Sequence, residues 1–345
     1  MKNIALCFDR VRDRRGPGTS PGVATNAAAL TELLVADDQQ LVWWCPCPTD
    51  VHRFTSRRTH PDSARARVAA AYTVLVERWS PGDRLFLFGS GRGAACAQAL
   101  ARLLGAVGVV RAAELTGWTT AEFRQYVLAT YAVPRTPREP SDWQRVRELA
   151  SQISGGDDVA VEVQYLGLWD STPVPGTPRA GALETLPSVR AARHARAIDG
   201  SAHSLAPTVG PDSPGIEEVW FRGAHCDVAG GPHACAALAE LSLDWVLDGA
   251  VRAGIVIDPS VRAHGAPAPD LADIAPTHLR PLPGARVPAG AAVHASVQTY
   301  LRAHPSYWRR LPAHFVWADP EWAARAERLA DPVEVRGPPQ LVGSG

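Results

Sequence analysis

The sequence predicts an α/β fold built on a doubly wound, mostly parallel sheet, and three observations lead to this prediction. Short apolar runs with the length of buried strands alternate with longer segments of helical periodicity. The stretch Leu85–Leu104 contains one complete unit of this alternation: a strand-like run, a glycine-dense turn and a proline-free helical segment follow one another directly. Hydrophobic residues make up 46% of the 345 positions, which is enough for a large core, and no internal repeat or clean linker divides the chain.

Helices and strands are assigned in chain order from periodicity and from the residues that begin or end them. Thr25 and Asn26 are favourable N-cap residues and precede a helix at Ala27–Val35. Pro81-Gly82-Asp83 ends an amphipathic helix at His60–Trp79. The strands are placed at Ile4–Phe8, Gln40–Trp44, Leu85–Phe88, Val159–Trp169 and, as the last one, Val219–Phe221. The other helices are placed after the glycine turn and at Thr119–Tyr131, Ser141–Ile153, Val189–Asp199, Glu240–Ala250 and Ala292–His304.

Composition narrows the classes of function. The formal net charge is zero and charged residues make up 20% of the chain, so nothing favours a nucleic-acid partner. The sequence contains no run of about 18 apolar residues, so we expect no transmembrane helix. The N-terminal apolar run is too short for a signal peptide. We therefore expect a cytoplasmic protein whose six cysteines are reduced, although a signal-less secretion route stays open.

Three residues that follow predicted strands stand in the order of a hydrolase triad. Strand, tight glycine turn and helix form the layout of the nucleophile elbow G-x-S-x-G, which here reads G-S-G-R-G at Gly89–Gly93. Its central position is Gly91. Asp170 and His225 follow later strands, and α/β-hydrolases present nucleophile, acid and histidine in this order.

A series of short motifs also occurs in a fixed order over residues 2–312. They are C-F-D-R-V at Cys7–Val11, Thr25-Asn26, Pro81-Gly82-Asp83, G-S-G-R-G-A at Gly89–Ala94, L-W-D-S at Leu168–Ser171, R-H-A-R-A-I-D at Arg193–Asp199, W-F-R-G-A-H-C-D-V-A-G-G at Trp220–Gly231 and H-A-S-V at His294–Val297. In these motifs the chain resembles the type VI secretion phospholipase-effector family of α/β-hydrolases. The resemblance implies an α/β-hydrolase-like domain at 1–312, with helical insertions, followed by a tail at 313–345.

The resemblance also implies site residues, and the chain departs from the family at the nucleophile and in the oxyanion loop. Asp170 and His225 match the family's acid and histidine, whereas Gly91 stands where the family has its nucleophilic serine. The family's D-G-T loop, near which an oxyanion-hole amide would lie, reads Asp9-Arg10-Val11. Arg92 follows the nucleophile position and still offers a backbone N–H to an oxyanion.

These departures predict a pseudoenzyme that needs no cofactor and binds an ester, a lipid or an unidentified partner in a degenerate site. An active serine esterase or phospholipase is the first alternative, with Ser90 as a substitute nucleophile or with water directed by Asp170 and His225. A one-residue shift in a tight turn aims the Ser90 side chain elsewhere, which weighs against the first version.

Two further alternatives use the same residues differently. Gly89, Gly91 and Ala94 fit the dinucleotide fingerprint G-x-G-x-x-A, with Glu114 at the spacing of a ribose-binding acid. The aspartates Asp9, Asp170 and Asp227 together with His225 are of the residue types that hold a hydrolytic metal. No compact ligand motif supports a metal, so we expect none and assign Asp227 to orienting the His225 loop.

Overall fold

The computed structural model describes residues 1–9, 24–45, 60–110, 119–154, 159–174, 177, 186–200, 216–258, 260 and 287–322. Within them, eight strands form one sheet in the order β2-β1-β3-β4-β5-β6-β7-β8, and each neighbouring pair is parallel. The strands are β1 Asn3–Phe8, β2 Gln40–Cys45, β3 Arg84–Ser90, β4 Val163–Trp169, β5 Ala192–Ala197, β6 Ile216–Phe221, β7 Ala292–His294 and β8 Val316–Ala318. The predicted α/β class with a parallel sheet is confirmed.

Helices cover both faces of the sheet, so the buried strands read as near-continuous apolar runs. The core on one face is formed with α2, α3, α4 and α5, and the core on the other with α1, α6 and α7. The helices are α1 Asn26–Leu33, α2 His60–Arg78, α3 Arg92–Val107, α4 Thr120–Val127, α5 Pro140–Ser154, α6 His225–Ala229, α7 Ala236–Arg252 and α8 Ser296–Ala303. A π-helix at Leu128–Ala132 continues α4, and a 3₁₀-helix at Pro305–Arg310 follows α8.

The strand order reverses at β1, which pairs with β2 on one side and with β3 on the other. In open α/β sheets, ligands bind outside the carboxyl ends of the strands at such a switch point. Because the strands are parallel, the residues that follow β1, β3, β4 and β6 all lie at this edge.

Three assignments from sequence need correction. The helix expected at Val189–Asp199 is wrong, since Ala192–Ala197 forms strand β5 inside the sheet. The helix expected at Ala292–His304 begins with a three-residue strand and becomes helical only at Ser296. Val219–Phe221 belongs to a longer strand and is followed by two more, so the sheet extends to Ala318, past the predicted boundary at residue 312.

Two glycines allow α3 to pack tightly against the strands that lead into it. A Cβ on Gly93 would lie 2.3 Å from the carbonyl oxygen of Phe8 at the end of β1. A Cβ on Gly89 would lie 2.5 Å from the backbone nitrogen of Ala94. The turn between β3 and α3 can be sharp because Gly89 and Gly93 on its two sides have no side chains.

Gly93→Ala is expected to destabilise the chain, because the added methyl group meets backbone that cannot move aside. We expect the free energy of unfolding in urea to fall by about 1–3 kcal/mol. The matched control is Gly105→Ala in the same helix, where the new Cβ would meet the side chain of Ser188, with its hydroxyl oxygen nearest at 2.6 Å. An equal loss in the two variants would contradict the tight elbow packing.

Candidate active site

The turn after β3 has the backbone of a strand-to-helix elbow, with Gly91 at its apex. Gly91 has φ 56° and ψ −117°, a left-handed conformation that L-residues adopt only at a cost. Its N–H donates to the carbonyl of Trp169 at 2.9 Å, and its carbonyl accepts from Thr172 N at 3.1 Å. The apex is thus tied to the end of β4, where the predicted acid lies.

Ser90 lies one residue earlier and points away from the apex. Its side chain is fully buried, and its Oγ accepts a hydrogen bond from the backbone nitrogen of Ala27 at 3.1 Å. Ala27 lies in the first turn of α1, so the Ser90 hydroxyl satisfies one of the backbone donors that a helix leaves unpaired there. Successive side chains of a strand alternate between faces, which explains this direction.

Asp170 and His225 are brought together from positions 55 residues apart in the sequence. His225 Nδ1 lies 2.6 Å from Asp170 Oδ2, a short hydrogen bond of the kind that fixes the ring in a catalytic triad. The Asp170 side chain is fully buried, whereas that of His225 is 21% exposed. Asp170 has φ 37°, a conformation that costs about 1–3 kcal/mol in a non-glycine residue. The carboxylate is therefore aimed at His225 despite backbone strain.

The surroundings of Asp170 hold it in the ionised form. Burial alone would raise its pKa, but the hydrogen bond with His225 and the charges of His225 and Arg196 outweigh burial, so the pKa lies below its usual value. Its Oδ1 also accepts from the backbone nitrogen of Ala197 at 3.2 Å. Asp170 is thus a permanent anion at neutral pH.

Sequence reasoning missed Arg196, a buried counter-charge of Asp170. Its side chain is 1% exposed, with Nε 3.8 Å from Asp170 Oδ1 and Nη1 3.2 Å from Glu218 Oε2. The guanidinium lies 4.9 Å from the ring centroid of Trp220, within cation–π range. If β5 had been assigned as a strand, Arg196 would have been found, because residues 194 and 196 of a strand lie on the same face of the sheet.

His194 completes this cluster as a buried histidine. Its Nδ1 lies 3.2 Å from Glu218 Oε2, and its Nε2 accepts from the backbone nitrogen of Ser171 at 3.2 Å. Burial lowers the pKa of His194 more than the nearby Glu218 carboxylate raises it, so the ring is neutral at physiological pH. Through the bond from Ser171 N to His194, the cluster holds the backbone segment that directly follows Asp170.

Asp9 lies where the predicted oxyanion loop begins, and it contacts the start of α1. Its Oδ1 accepts from Thr25 Oγ1 at 2.6 Å, and its backbone carbonyl accepts from Arg67 Nη2 at 2.6 Å. Arg10 and Val11 lie outside the described residues, as does Glu114. The structure thus describes only the first residue of the D-R-V loop.

Asp227 contacts the backbone of the loop that carries His225. Its two carboxylate oxygens accept from Ala224 N and Cys235 N, each at 2.9 Å, and the side chain is fully buried. These bonds brace the segment on both sides of His225. Arg92 is half-buried and begins α3 directly after Gly91.

The described residues offer no assembled metal site and no membrane span. No three His, Cys, Asp or Glu side chains among them form a group that could hold a metal ion. Asp9, Asp170 and Asp227 each face different partners, as described above. None of the described helices is both long and apolar enough to cross a bilayer.

The Asp170 contacts predict how stability depends on pH. The folded-state pKa lies below the unfolded value of about 4, so the contribution is complete above pH 4 and is lost as the pH falls through the folded-state pKa. Asp170→Asn should lower the free energy of unfolding at pH 7 by on the order of 3 kcal/mol. We expect the difference from the native chain in urea titrations to shrink below pH 4. A difference that stays constant down to the lowest pH at which both proteins fold would contradict this account.

Comparison with known proteins gives one family match and several distant relatives. Residues 2–249 match the family described as T6SS, phospholipase effector Tle1-like, catalytic domain. The uncharacterized protein YEL023C of Saccharomyces cerevisiae is 28% identical over 190 residues, which cover 49% of this chain and 26% of that protein.

Two solved structures are also similar, each at 16% sequence identity. One is an uncharacterized protein from Pseudomonas aeruginosa, with a TM-score of 0.45 over 76% of this chain and 47% of that chain. The other is the Tle1 effector bound to the VgrG spike of the type 6 secretion system, with a TM-score of 0.34 over 67% and 51% of the two chains. The chain spans about a quarter of the curated relative and about half of each solved structure.

Proposed function

Because the chain belongs to the family of Tle1-like phospholipase effector catalytic domains, we propose that it binds an ester or lipid without forming an acyl-enzyme. The observation that carries this proposal is the glycine at the apex of the elbow. An acyl-enzyme needs a side-chain oxygen or sulfur at that point, and Gly91 has neither. Loss of the nucleophile alone costs on the order of 10⁶ in kcat in a serine protease.

Neighbouring side chains are poorly placed to replace the missing serine. The Ser90 hydroxyl is fully buried and accepts from the first turn of α1. Cys96 is buried in α3, and burial raises the pKa of its thiol to about 11, so little nucleophilic thiolate forms at neutral pH. Both observations favour a non-covalent role over an esterase that uses a substitute nucleophile.

A second candidate follows from the intact pair of Asp170 and His225. A histidine whose Nδ1 is held by a carboxylate can act as a general base through Nε2. A water molecule activated by His225 would then attack a bound ester directly. The dinucleotide alternative has less support, because it gives this pair no role and its acid, Glu114, lies outside the described residues.

The proposal predicts ligand binding without covalent turnover. The native chain should resist a fluorophosphonate label, and its turnover of short p-nitrophenyl esters and of a diacyl phospholipid should not exceed that of His225→Ala. An ether-linked phospholipid that cannot be hydrolysed should still bind, as measured by calorimetry. Label mapped to Ser90 would contradict the proposal. Turnover that requires His225 but leaves no label would instead establish direct attack by water.

A further inference from the structure

A groove of about 530 Å³ lies between α2 and the continuous segment formed by α4 and the π-helix. We call it the α2–α4 groove. The α2 side presents three residues at helical spacing, and the other side presents a stripe at spacings of three and four residues. The lining residues are Arg65, Ala66, Ala69, Ala121, Arg124, Gln125, Leu128 and Ala129.

Short side chains keep this groove open. Two packed helices normally fill the space between them with interdigitating side chains. Here Ala69 on α2 and Ala121 and Ala129 on the opposite side leave that space empty, and Leu128 adds an apolar wall. Such a surface gains free energy when hydrocarbon covers it.

The guanidinium group of Arg124 gives the apolar groove a positive charge. Arg65 is held in place, since its Nη2 donates to the carbonyl of Val133 at 3.1 Å. Among the described residues, no carboxylate forms an ion pair with Arg124. The one acid of α4, Glu122, accepts instead from Thr119 N and Oγ1 at the start of the helix. The lining therefore complements an anion.

The wall that carries Leu128 and Ala129 has unusual backbone geometry. The five residues Leu128–Ala132 form a π-helix directly after α4. Such π-helical turns are rare and occur frequently at functional sites. The π-helix contributes Leu128 and Ala129 to the lining, so the irregular turn lies at one end of the groove.

We propose that the α2–α4 groove binds a medium-chain fatty acid. The carboxylate would pair with Arg124, and the hydrocarbon chain would run along the alanines. Residues 121 and 129 are separated by about 12 Å along the helix axis, which suits one medium-length chain. The single groove accommodates one hydrocarbon chain, so a one-chain anion fits it better than a lipid with two chains. The proposal uses no residue of the elbow site and does not depend on its function.

The test measures calorimetric binding of dodecanoate, below its micelle concentration, to the full chain. Arg124→Gln should weaken binding at least tenfold, because it removes a charge-assisted hydrogen bond. Ala69→Phe should weaken it similarly by filling the groove, and Ala129→Phe repeats this test at an exposed position. The matched controls are Arg78→Gln and Ala70→Phe, which change exposed α2 residues outside the lining and should leave Kd within twofold.

Several outcomes would overturn the proposal. Absence of dodecanoate binding to the native chain is one, and an equal loss in the control variants is another. Uncharged dodecanol binding as tightly as dodecanoate would show that Arg124 does not contribute to binding. Binding to anionic vesicles that depends on Arg124, without binding of monomeric dodecanoate, would assign the surface to a membrane instead. Circular dichroism of each variant separates these results from misfolding.

Discussion

The candidate site depends on one buried charge, the carboxylate of Asp170. It receives a hydrogen bond from His225, lies 3.8 Å from the Arg196 guanidinium and accepts from the backbone of β5. An ion is stable in such a place only when its partners replace water. The strands that follow one another across the sheet, β4 to β6, are therefore fixed relative to each other by the same group that orients the histidine.

This dependence gives the acid–histidine pair a structural role that does not require a nucleophile at the apex of the elbow. Removal of Asp170 would leave the buried Arg196 guanidinium with one carboxylate fewer as a partner, and breaking a buried ion pair costs several kcal/mol. A glycine at the apex, in contrast, costs nothing in that backbone conformation, because glycine adopts positive φ freely. Folding stability thus depends on the pair, whereas the backbone conformation at position 91 is one that glycine adopts without strain.

Much of this arrangement could be predicted from sequence, and the failures have a physical cause. The elbow and the order of Gly91, Asp170 and His225 were recognisable because strand ends and glycine turns leave local signals. Strand β5 carries no such signal, because both of its faces hold charged residues. Ala195 and Ala197 share the α7 side with Arg193, and the other face holds His194 and Arg196. Charged residues such as these are buried only because ion-pair partners from other strands surround them. In the sequence alone they cannot be distinguished from the solvent-exposed face of a helix. The short strands β7 and β8 are strands because they pair with neighbouring strands of the sheet. A local sequence pattern does not indicate such pairing.

We propose that the elbow and its base are intact while the nucleophile is absent. The most direct test of this proposal is fluorophosphonate labelling of Gly91→Ser, with the modified peptide mapped by mass spectrometry. Gly91→Ala is the matched control, because it adopts the same backbone conformation at a similar cost of about 1–3 kcal/mol but adds no hydroxyl. We predict stoichiometric label at position 91 in Gly91→Ser alone, lost again when His225→Ala is added. A folded Gly91→Ser that stays unlabelled would contradict the account, since position 91 would then lie out of reach of His225.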